Sequence, residues 1–138
     1  MVLLVALGLI VSGAAAAGAA KVVFKGATVT ANAGGAGVAI TVNVSCTGAK
    51  KYSAHVWLAS KDGNNDTFFD RTITGTVAKN KGTGKTQYNG QVPANGFIVA
   101  GSNVFCWEAD KSQGVGYRDL FVAYCAARGA CKATVGRP

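Results

Sequence analysis

The sequence predicts an all-β protein, an antiparallel sandwich of about seven strands behind a hydrophobic, helical N-terminal segment. Three observations predict it. Helical periodicity is absent after residue 20. Short runs rich in Val, Thr, Tyr and Phe are separated by Gly/Asn/Asp/Lys clusters, at the spacing of a sandwich or barrel. The run from Val38 to Cys46 alternates apolar and polar residues without a break, which is the period of a half-buried strand.

The first element is residues 1–20, which hold none of the 14 Lys/Arg or 6 Asp/Glu. Read as a secretory signal peptide, it has an apolar stretch over 2–12 and a small-x-small cleavage pattern at Ala17-Gly18-Ala19. No Lys or Arg precedes the apolar stretch. Read as a retained segment, it resembles the layout of pilin-like proteins, which bury a hydrophobic N-terminal helix in a filament core. Val5 stands where bacterial type IV pilins have Glu. Read as an anchor, twenty helical residues would rise about 30 Å, enough to span a bilayer core. Its Gly13–Ala20 half is only weakly apolar, and Lys21 and Lys25 would place the domain in the cytoplasm. The cysteines argue against that compartment. Residues 21–138 then form one domain, large enough for its own core.

Strands are expected over 22–31, 37–46, 51–60, 67–78, 84–92, 103–110 and 116–125. The turns between them fall at Ala33–Gly37, Asp62–Asn65, Lys79–Gly84, Pro93–Gly96 and Gln113–Gly116. These clusters supply residues that tolerate positive φ or pre-set a turn. In the second run Val38, Ile40, Val42, Val44 and Cys46 face the core, and Asn43 faces out. In the third the inward set is Tyr52, Ala54, Val56 and Leu58, which turns Ser53, His55 and Trp57 outward. In Asn103–Ala109 an inward Cys106 takes Val104 with it, so Phe105 and Trp107 face out.

Four cysteines, Cys46, Cys106, Cys125 and Cys131, imply two disulfides, with three pairings open. The order Cys46, Trp57, Cys106 resembles the Cys–Trp–Cys pattern of immunoglobulin-like domains over roughly residues 37–125. That resemblance implies an immunoglobulin-like sandwich with an inter-sheet Cys46–Cys106 bridge. Cys125–Cys131 would then pin the C-terminal turn, and Cys106–Cys125 is the alternative. Val104 stands where the family's corner Tyr would be, and Trp57 faces away from the core by parity.

Chemistry-bearing motifs are sparse. Gly82-Thr-Gly-Lys-Thr86 looks like the end of a phosphate loop, but Lys79 stands where the motif needs Gly, and it reads as a basic turn. His55 is the single histidine, and Ser53, Asp110 and Asp119 build no triad with it. Glu108 and Asp110 share a strand face with Cys106, and Glu108 is expected at the strand end against Arg118. Asp62, Asp66 and Asp70 lack the calcium-loop pattern and its terminal Glu. With no C-x-x-C, no metal site is expected. Nor is a cofactor, a catalytic residue or an enzymatic activity. Sequons occur at Asn43 and Asn65.

The aromatic set carries the functional expectation. Trp57, Phe105 and Trp107, with His55 beside them, gather on one outer sheet face, and exposed aromatic area marks a binding surface. The net charge of +8 fits an acidic partner or simply keeps the domain soluble. Its spread along the chain points to no specific nucleic acid. The reading is a non-enzymatic extracellular structural or binding protein. If residues 1–20 are retained it would be a pilin-like subunit of a cell-surface filament. The alternative is a small secreted effector: an inhibitor, a toxin, or a glycan- or protein-binding module. Its partner would be a protein, by self-assembly or at a surface, or a glycan or cell-wall polyanion.

Overall fold

The computed structural model describes residues 21–34, 36–61 and 66–135. The segment 1–20, read above as signal peptide or assembly helix, lies outside them, as does Asn65. Among the described residues no helix is long and apolar enough to cross a membrane.

The described residues are all-β and form two antiparallel sheets. The strands are β1 (Val23–Gly34), β2 (Gly37–Thr47), β3 (Lys51–Ser60), β4 (Thr67–Thr76), β5 (Lys81–Tyr88), β6 (Phe97–Trp107), β7 (Val115–Tyr117), β8 (Phe121–Cys125) and β9 (Gly129–Val135). The first sheet runs β5-β2-β1-β9. The second runs β4-β3-β6-β7, with β8 also paired to β6. The inward rows of both sheets share one hydrophobic core, which includes Val29, Ile40, Val42, Val56, Leu58, Phe97 and Val99.

Strict alternation places Val38, Ile40, Val42, Val44 and Cys46 in that core, all nearly inaccessible. Tyr52, Ala54, Val56 and Leu58 meet them from β3. Two disulfides join the sheets: Cys46–Cys106 ties β2 to β6, and Cys125–Cys131 ties β8 to β9. The second is therefore more than a turn staple, because its two ends lie in different sheets.

Several expectations are corrected. Nine strands are described where about seven were expected. The sequence does not announce strand β9, because its inward residues, Cys131, Ala133 and Val135, are small and its run is short. Strand β6 begins at Phe97 rather than at residue 103. Its first half shows no alternation because Ile98 and Ala100, on the outer side, are as covered as Phe97 and Val99. It ends at Trp107, which leaves Glu108 and Asp110 exposed beyond it. The 116–125 run divides at Arg118–Leu120 into β7 and β8.

Gly82-Thr-Gly-Lys-Thr86 is strand, not turn. The turn is only Lys79-Asn80, both at positive φ (54° and 69°), closed by reciprocal hydrogen bonds between Ala78 and Lys81. Two successive left-handed residues make the tight reversal that suits antiparallel strands. The glycines of β5 serve packing instead. Gly82 and Gly84 point inward toward the Tyr52 ring.

Candidate functional site

The outer face of the second sheet collects the aromatic residues. Strand β3 presents Lys51, Ser53, His55 and Trp57 to it, and β6 presents Phe105 and Trp107. All four of His55, Trp57, Phe105 and Trp107 are half-buried, so each keeps part of its ring at the surface.

The face has two halves, divided by a bulge. Ser53 pairs with Phe105 and His55 pairs with Ser102, so Asn103 and Val104 oppose the single residue Ala54. Asn103 takes φ of 49°, a conformation uncommon for a residue with a side chain. Its amide donates to the Arg118 carbonyl at 3.4 Å, and its Nδ2 donates to Ser102 Oγ at 3.3 Å. The bulge reverses parity along β6, which brings Ile98 and Ala100 outward on one side and Phe105 and Trp107 outward on the other.

The apolar half lies in two cross-strand rows. Trp57, Ala100 and Val122 are aligned across β3, β6 and β8. Ala59, Ile98 and Tyr124 form the next row. Trp57 packs over Ala59, Ile98 and Ala100, and the three are largely covered. Val122 and Tyr124 remain 42% and 67% exposed. The result is an apolar strip with an aromatic ring at each side. Sequence reasoning missed Val122 and Tyr124, although Phe121-Val-Ala-Tyr-Cys125 alternates and would have put both opposite the buried Phe121 and Cys125.

The polar half is built around cations on rings. The Arg118 guanidinium lies 4.9 Å from the Phe105 centroid, and Lys111 Nζ lies 5.6 Å from that of Trp107. Both distances fall within the range of cation–π attraction. Arg118 therefore meets Phe105, not Glu108 as expected. Lys111 opens a short 3₁₀ turn, Lys111–Gln113, whose cap is Asp110. Asp110 Oδ1 accepts from the Ser112 amide at 3.0 Å. The Ser112 hydrogen bonds hold the Asp110 carboxyl below the usual carboxylate range. His55 Nε2 shares a 2.7 Å hydrogen bond with Asp70 Oδ1, and its ring stacks at 4.7 Å from Trp57.

His55, Trp57, Phe105 and Trp107 thus share the face without forming one cluster. Trp107 pairs with Lys51, six positions along β3 from Trp57, or roughly 20 Å. His55 and Phe105 lie between them and line one hollow of about 330 Å³, together with Ser53, Thr72, Asn103 and Lys111. A second hollow of about 380 Å³ continues past Phe105 and Lys111 to Arg118.

The first sheet's outer face is polar. Thr134, Thr28, Asn43 and Thr83 align across its four strands, and Thr83 Oγ1 donates to Asn43 Oδ1 at 2.8 Å. Asn43 is exposed, as its sequon requires. Among the described residues no group of three His, Cys, Asp or Glu is gathered for a metal.

No family model, no curated protein and no solved structure matches this chain.

Proposed function

We propose that the chain is a secreted, non-enzymatic binding protein on an immunoglobulin-like sandwich, working through the outer face of the second sheet. The observation that carries this reading is the apolar strip in which Trp57, Ala100 and Val122 align beside the 67% exposed Tyr124. A flat strip of that kind on a soluble domain suits a partner laid across the strands. The two disulfides fit an oxidising compartment. A filament role would rest on residues 1–20, outside the described residues.

The test is the association of the protein with the surface or matrix of the cells that export it. Trp57→Ala and Tyr124→Ala are expected to release the protein into the soluble fraction while both variants still fold and unfold cooperatively. Undiminished association of both variants would overturn the reading.

A further inference from the structure

We propose that the polar half of the face, from His55 past Phe105 and Lys111 to Arg118, binds the acidic sugar units of an anionic polysaccharide. This rests on the reading of that face as the binding surface and adds the chemistry of its partner.

No carboxylate lines either of the two joined hollows. Among the described residues no Lys or Arg side chain pairs with an Asp or Glu carboxylate. Lys111 and Arg118 therefore meet aromatic rings, not acids, on the protein side. A ring face leaves the guanidinium edge and most ammonium protons free to donate outward. The guanidinium fork matches a carboxylate or sulfate.

Positioning supports the same conclusion. The Arg118 carbonyl accepts from the strained Asn103, and Lys111 sits in a turn capped by Asp110. Both cations are thus carried on backbone that is pinned beside the sheet rather than on free loops. Holding donors in place before binding reduces the ordering cost of association.

Polysaccharide is favoured over nucleic acid by two features. Strands of nucleic acid are gripped by stacking bases on open aromatic faces, and here Arg118 and Lys111 already lie over Phe105 and Trp107. The hollow also offers Ser53, Thr72 and Asn103, whose hydroxyl and amide groups suit sugar hydroxyls. Two hollows meeting at Phe105 and Lys111 fit a ligand that repeats its acidic group.

The experiment is calorimetric titration of the full chain with polygalacturonate and dextran sulfate, against neutral dextran and a single-stranded oligonucleotide. Binding to an acidic polysaccharide, with no binding to dextran, is expected. Arg118→Gln and Lys111→Gln should each weaken it roughly tenfold, the scale of one charge-assisted hydrogen bond. Lys85→Gln, which removes the same charge from the opposite sheet, should change it less than about twofold. Thermal midpoints check that each variant folds. Equal losses in all three variants would reduce the effect to net charge and overturn the proposal. So would tighter binding to the oligonucleotide, or no binding to either polyanion. In that last case, continued dependence of cell-surface association on Trp57 would leave the binding-face reading standing without this ligand.

Discussion

The hydroxyl of Tyr52 lies where a side chain on Gly84 would begin. Tyr52 stands opposite Cys106 in the β3–β6 ladder, and its ring reaches Gly75 of β4 and Gly82 and Gly84 of β5. Three glycines make room for it. A Cβ on Gly75 or Gly82 would come within 2.7 Å of the ring, and one on Gly84 would meet the hydroxyl itself. Trp57, on the same strand as Tyr52, lies on the outer face.

Gly82→Ala should therefore destabilise by about 1–3 kcal/mol, the cost of overpacking a core that cannot yield. The Tyr52 hydroxyl is buried without a hydrogen-bond partner. Tyr52→Phe removes that orphaned group and should be neutral or stabilising by up to about 1 kcal/mol. Denaturant midpoints of the two variants check both signs. A marked loss in Tyr52→Phe would mean that the hydroxyl is satisfied after all.

Alkaline stability follows from the same residue. Burial pushes the Tyr52 hydroxyl above its ordinary value of about 10. The unfolded chain therefore loses this proton at lower pH than the folded chain does. The stabilisation from the neutral ring is complete below pH of about 10 and drains away as pH climbs through the folded value. Unfolding midpoints measured on either side of that range should fall more steeply for the parent than for Tyr52→Phe. Parallel curves would contradict the assignment.

The two disulfides should differ in weight. Cys46–Cys106 spans 60 residues and Cys125–Cys131 spans 6. Chain-entropy arguments assign about 4 kcal/mol to the first and about 2 to the second. Replacing each pair with Ala should reproduce that order in denaturant unfolding, and peptide mapping of the parent should return these two pairings. A Cys106–Cys125 peptide would contradict the arrangement of the sheets.

On the outer face, Tyr124→Ala should cost less than about 0.5 kcal/mol, because the side chain is 67% exposed. Trp57→Ala should cost more, since it uncovers Ala59, Ile98 and Ala100, yet the chain should still fold cooperatively. Thermal unfolding of both variants checks the order. The reverse order would place Tyr124, not Trp57, over the apolar strip.

Much of this was legible where alternation is clean. Val38 to Cys46 placed five core residues correctly, and the parity of β3 and β6 turned His55, Trp57, Phe105 and Trp107 outward as observed. It failed where both faces of a strand are covered. Phe97–Ser102 has no period because Trp57 covers its outer side. Nor could local pattern reveal the cations. Lys111 and Arg118 come from a short turn and a strand break after β6, and only the fold sets them on Phe105 and Trp107. The glycines of β5 misled for a related reason. They read as part of a basic turn, whereas the chain uses their missing side chains to seat Tyr52.

Oxidative footprinting tests most directly whether the outer face of the second sheet is the working surface. Labelling of the protein in the extracellular fraction of its own cells is compared with labelling of the purified chain. Trp57, Trp107 and Tyr124 should be protected in the native fraction, with Tyr88 labelled alike in both. Equal labelling of Trp57, Trp107 and Tyr124 in the two samples would contradict it.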